Sequence, residues 1–149
     1  MKVCVFGLWH LGSITAACLA AAGFETVGLD PDAERISALA KGKPPLFEPG
    51  LEDLVNSGLA GGALSFSSEL ATVRDADVVW VAFDTPVDED DRADVDFVVG
   101  QIRSLFPYLR DGAVVLVSSQ MPVGTMREIE RQFAAGAIGR KVVFAYSPE

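Results

Sequence analysis

The sequence predicts an α/β fold, a doubly wound parallel sheet of about six strands in the order 3-2-1-4-5-6. Two observations predict it. Short apolar, β-branched runs alternate with helix-compatible segments along the whole chain, which is the pattern of βαβ units. The first unit also carries glycines at its strand-to-helix turn, Gly7 and Gly12, and an acid, Asp30, at the end of its second strand. Right-handed crossovers then set the strand order.

Lys2–Phe6 (KVCVF) is a continuous apolar run, as expected for a strand covered on both faces. Leu11–Ala22 is Ala-rich and helix-compatible, with Gly23 as its stop. Glu25–Leu29 (ETVGL) reads as a second strand, and Pro31 suits the first turn of a helix running to about Ala40. A Pro/Gly loop at Lys41–Gly50 leads to a short helix near Leu51–Ser57, a third strand at Ala63–Phe66 and a brief helix at Glu69–Arg74. Ala76–Phe83 (ADVVWVAF) is the strongest strand signal of the chain. An acidic loop, Asp84–Asp94, separates it from a helix at about Val95–Leu109. Ala113–Ser118, Gly124–Ala135 and Lys141–Ala145 complete the series as strand, helix and strand.

A chain of 149 residues, half of them hydrophobic, is one ordinary domain with a single substantial core. The net charge of −9 argues against nucleic acid or an anionic membrane as partner, since both require clustered Lys and Arg. The apolar stretch up to Gly23 is broken by Gly7, His10, Gly12 and Ser13, so it reads as strand, turn and helix rather than a secretory signal. No other run approaches the roughly 20 apolar residues of a membrane span. A soluble, cytoplasmic protein is expected. Cys4 and Cys18 form no disulfide framework and no metal spacing, and both read as small buried hydrophobes. The carboxylates of Asp88–Asp96 lack the spacing of an EF-hand loop and read as a solvated face; no metal site is expected.

The candidate chemistry sits at the carboxyl ends of the strands, where strand order reverses between the first and fourth. Gly7-Leu8-Trp9-His10-Leu11-Gly12 matches GxGxxG at its first and third glycines. Gly7 can make the tight turn out of the strand, Gly12 lets the helix pack on the sheet, and the helix offers its N–H groups and dipole to a pyrophosphate. Trp9 stands where the second glycine usually lets the backbone approach the phosphates. Trp9 can also simply pack on the loop, and for His10 the plainer reading, a partly exposed turn residue without chemistry, is preferred. Asp30 follows Gly7 by 23 residues. A carboxylate there accepts hydrogen bonds from the adenosine ribose and repels a 2′-phosphate, favouring NAD over NADP. A helix N-cap is its plainer role, and the two are compatible. Together these features describe a dinucleotide-binding domain of the Rossmann type.

Beyond this unit, the chain resembles the N-terminal NAD-binding domain of the UDP-glucose/GDP-mannose dehydrogenase family. The resemblance rests on the first loop, Asp30 with Arg35, Phe47-Glu48-Pro49-Gly50-Leu51, Asp84-Thr85-Pro86-Val87, Ser119-Gln120-Met121-Pro122-Val123-Gly124-Thr125 and Ser147-Pro148-Glu149. It implies a nucleotide-sugar dehydrogenase that oxidises the primary alcohol of a UDP- or GDP-sugar to the uronate with two NAD+, as in polysaccharide biosynthesis. A cysteine in a later domain would capture the aldehyde-level carbon covalently, dividing the oxidation into steps.

By the same resemblance, Asp30 and Arg35 contact the adenosine ribose and Leu11 offers its N–H to the pyrophosphate. Thr85 lies beside the nicotinamide-side ribose. Gln120 stands where many members have a threonine that helps place the hydrolytic water, and Glu149 is an acid/base or water-orienting group near the sugar. The expected cofactor-binding set is therefore Gly7, Trp9, His10, Leu11, Gly12, Asp30, Arg35, Thr85 and Gln120, with Gln120 and Glu149 as catalytic candidates. Residues 1–149 would form the whole dinucleotide-binding domain. The central helix, the catalytic cysteine and the substrate domains would be absent, so this chain is expected to be inactive alone, and the longer parent to be a homodimer. Plainer readings stand beside these: Thr85-Pro86 as a loop staple, Arg35 as a solvated helix residue, Pro122–Gly124 as a turn. A 3-hydroxyacyl-CoA or 6-phosphogluconate type of dehydrogenase shares the first unit but gives no reason for FEPGL or SPE. The substitution at Trp9 motivates a third reading, a non-catalytic nucleotide-sensing or interaction module.

Overall fold

The computed structural model describes residues 1–86, 94–136 and 139–148. Six strands, β1 (Lys2–Phe6), β2 (Glu25–Leu29), β3 (Leu64–Ser67), β4 (Val78–Val81), β5 (Val114–Val117) and β6 (Val143–Tyr146), form one sheet. Their order is β3-β2-β1-β4-β5-β6, and every neighbouring pair is parallel. The reversal between β1 and β4 falls where the alternation of strands and helices placed it. In register, Val5 stands beside Gly28 on one side and Trp80 on the other.

Alternation along β1 divides the core in two. Val3 and Val5 face a cluster with Ala16, Ala17 and Ala20 of α1 (His10–Ala21), Leu39 of α2 (Ala33–Leu39) and Val55 of α3 (Leu51–Ala60). Cys4 and Phe6 face the other, with Val98, Ile102 and Leu105 of α4 (Val95–Leu105) and Ile129 and Phe133 of α5 (Thr125–Gly136). Three alanines on one face of α1 let that helix lie close on the sheet. On the far side the space is filled by aromatic packing, Phe106, Phe133 and Phe144 meeting edge to face.

Several boundaries differ from the expectation, each for a local reason. α2 begins at Ala33, and its N-cap is Asp32, whose carboxylate accepts from the N–H groups of Glu34 and Arg35 at 3.0 and 3.1 Å. Pro31 therefore precedes the helix, and Asp30 is not the cap. The apolar run Ala76–Phe83 yields only four strand residues; Ala82 still donates its N–H to the Phe6 carbonyl at 2.8 Å, and Ala82 and Phe83 are buried beyond the strand end. α4 ends at Leu105 rather than Leu109, since Pro107 has no N–H to continue it. Glu69–Arg74 is realised as a 3-10 turn at Leu70–Asp75. Cys4 is buried as expected, but Cys18 lies on the solvent side of α1, so the expectation of two buried thiols is corrected for Cys18. Among the described residues no helix is long and apolar enough to cross a membrane.

Candidate cofactor crevice

Gly7 leaves β1 with φ +95°, a conformation open to glycine, and a Cβ there would lie 2.8 Å from the Phe83 ring. Gly12 has ordinary dihedral freedom to spare but no space: a Cβ would stand 1.7 Å from the carbonyl oxygen of Gly7. The first turn of α1 thus rests directly on the end of β1. Position 9 makes neither demand. Trp9 has φ −77°, outside the left-handed region that favours glycine. Ser13 fastens the loop from within, its hydroxyl donating to the Leu8 carbonyl at 2.8 Å. No side chain caps α1 and no acid lies in its first turn, which leaves its positive end directed at the sheet edge.

Asp30 is fully buried. One carboxylate oxygen accepts from the Leu8 N–H at 2.7 Å, the other from the Asp32 N–H at 2.9 Å. The Arg35 guanidinium donates to both, at 2.9 and 3.0 Å. Asp30 therefore ties the first loop to the start of α2, and Arg35 is an ion-pair partner rather than a solvated helix residue. The same guanidinium lies over the Trp9 ring, 5.1 Å from its centroid. Asp32 has its carboxyl held below the usual range, chiefly by the Arg35 N–H and, against opposing desolvation, by the Arg35 charge and the Glu34 N–H.

His10 Nε2 lies 2.7 Å from a carboxylate oxygen of Glu48, so the FEPGL segment is fastened to the first turn of α1. Beyond Leu11 a crevice opens between the ends of β1, β4 and β5, lined by Leu11, Phe83, Asp84, Thr85, Ser119 and Gln120. The Thr85 hydroxyl donates to the Gln120 carbonyl at 2.8 Å, and the Ser119 hydroxyl donates to the Phe83 carbonyl at 2.6 Å. These bonds join the loops after β4 and β5 into one wall. Trp80 Nε1 donates to the Ser118 hydroxyl at 2.9 Å just beneath.

The structure thus brings Gly7, Trp9, His10, Leu11, Gly12, Asp30, Arg35, Thr85 and Gln120 to one edge of the sheet. Glu149, and most of the acidic loop (residues 87–93), lie outside the described residues. Glu48 as the partner of His10, Lys43–Pro45 beside Arg35, and Ser118 and Ser119 had no role in the sequence reading. Only the two serines had a detectable signal, hydroxyls closing an apolar strand at the ligand edge. Among the described residues no cluster of His, Cys, Asp and Glu could hold a metal ion.

The profile described as "UDP-glucose/GDP-mannose dehydrogenase family, NAD binding domain" matches residues 1–149. The chain belongs to this family. It is 36% identical to the UDP-glucose 6-dehydrogenase of Pseudomonas aeruginosa, over all of this chain and 34% of that protein. It is 41% identical to the UDP-glucose 6-dehydrogenase of Rhizobium meliloti, over 88% of this chain and 30% of that one. A crystal structure of a ternary complex of GDP-mannose dehydrogenase from Pseudomonas aeruginosa superposes with a TM-score of 0.90 and 29% identity, covering 100% of this chain and 36% of that one. The chain spans about a third of the length of these relatives. The family implies NAD as cofactor, and the crevice suits it. The edge offers an uncapped helix end for a diphosphate, on a helix that Gly12 lets rest against the end of β1.

Proposed function

We propose that the chain is the NAD-binding domain of a nucleotide-sugar 6-dehydrogenase acting in the cytoplasm on a UDP- or GDP-sugar. The observation that carries this reading is the convergence at one sheet edge of the loops that carry the family resemblance: Gly7–Gly12, Asp84–Pro86 and Ser119–Met121. NAD, when bound, supplies the hydride acceptor, and the protein supplies orientation and electrostatics. The first turn of α1, with the Leu11 N–H, would take the diphosphate. The Asp30–Arg35 pair would meet the adenosine ribose, and Thr85 and Gln120 would border the nicotinamide side. With Thr85 fixed to the Gln120 carbonyl, the Gln120 amide is presented from a wall that does not need to reorganise, as water placement requires. Glu149 would act close to the sugar as an acid/base or water-orienting group.

The alcohol-to-acid oxidation needs more of the protein than these residues, so residues 1–149 alone should oxidise no sugar, and the longer protein should act as a homodimer. The test is NADH formation by the longer protein with UDP- and GDP-hexoses. Two NADH per sugar consumed supports the reading. One NADH with a stable ketone product, or none with any nucleotide sugar, counts against it.

A further inference from the structure

Trp9 is large, aromatic and 42% exposed, and it occupies a position whose φ lies outside the region that favours glycine. Its ring carries the Arg35 guanidinium on one side, and Arg35 is anchored in turn on both oxygens of buried Asp30. Beside this stack lies a cleft of about 400 Å³ lined by Trp9, Asp32, Glu34, Arg35, Lys43 and the Pro44–Pro45 pair. A cleft with one aromatic wall, two prolines and an anchored guanidinium fits a flat, neutral, polarisable group better than a phosphate. Two cations and two acids leave it without strong net charge. Two of its lining residues, Arg35 and Asp32, bond Asp30, the residue after β2.

We infer that Trp9 is a stacking wall for the purine base at the adenosine end of the dinucleotide, held in place by Arg35. The inference rests on the cofactor reading above. Every base has a π-face, and stacking on an aromatic side chain contributes to binding without base-specific hydrogen bonds. Arg35 fixes the ring by a cation–π contact on one face, and the base would take the face that the guanidinium does not cover. A tryptophan in this loop is then a gain for the adenosine end, and not an obstruction to be accommodated.

The chain has two tryptophans, so Trp80→Phe leaves Trp9 as the sole tryptophan, excited selectively over the two tyrosines. ADP-ribose and AMP should quench its emission saturably, and nicotinamide mononucleotide should not. Calorimetry without the reporter change gives the second measurement. Trp9→Gly should weaken ADP-ribose about five- to tenfold, the low end of base–aromatic stacking for a wall at the rim, with Trp9→Phe within about twofold of the parent. ADP-ribose binding equally well or better to Trp9→Gly overturns the inference while leaving the cofactor reading intact. Failure of the unaltered chain to bind ADP-ribose overturns both.

Discussion

At the level of single residues, the loop after β1 contains three positions with different physical demands. Gly7 is required by its φ of +95°, Gly12 by the 1.7 Å approach to a carbonyl oxygen, and Trp9 by neither. Gly12→Ala should therefore push α1 off the end of β1. Overpacking of this kind costs about 1–3 kcal/mol, and here the obstacle is backbone, so the upper end is expected in thermal or urea denaturation. Asp30→Asn should also destabilise, on the order of 3 kcal/mol, because it leaves the Arg35 guanidinium without its buried partner. The two thiols should differ sharply. Burial pushes the Cys4 thiol up to about 12, whereas Cys18 is exposed. Maleimide should label one thiol per native chain and two after denaturation. Two fast labels on the native chain would contradict the burial of Cys4.

At the level of elements, the first βαβ unit was legible because each of its signals is local. Apolar continuity gave β1 and β2, and glycines marked the turn. What resisted reading was set by tertiary contact. Ala82 and Phe83 look like strand and serve as packing beneath the loop, and exposed Cys18 stands between Ala17 and Leu19 with no polar neighbour to mark its face. Asp30 and Asp32 are both plausible caps in sequence, and only the fold separates them, giving Asp32 to α2 and Asp30 to the first loop. Because the folded carboxyl of Asp32 sits below its ordinary value of 3.8, its stabilisation is fully present above that value. It is lost as pH falls through the lowered folded value. Asp32→Ala should then lower Tm at neutral pH, and the gap from the parent should close on acidification below the usual carboxylate range. A gap independent of pH would contradict the cap assignment.

At the level of the whole molecule, the strand order follows from alternation and handedness together with the glycines and acid of the first unit, and the order makes the crevice. Reversal between β1 and β4 separates the loops that follow them, so that Leu11, Thr85 and Gln120, far apart in sequence, border one cavity. The FEPGL segment was visible as a motif, but its place was not: only the structure shows Glu48 reaching His10 across 38 positions of chain. Long-range side-chain pairs of this kind leave no periodicity for a sequence to display.

The central claim is that this sheet edge binds NAD. It is tested most directly by titrating the chain with NAD+ and NADP+ in parallel by calorimetry. Saturable one-to-one binding of NAD+, tighter than that of NADP+, is predicted, because an acid following β2 is expected to disfavour a 2′-phosphate. Tighter binding of NADP+, or binding of neither, would contradict it.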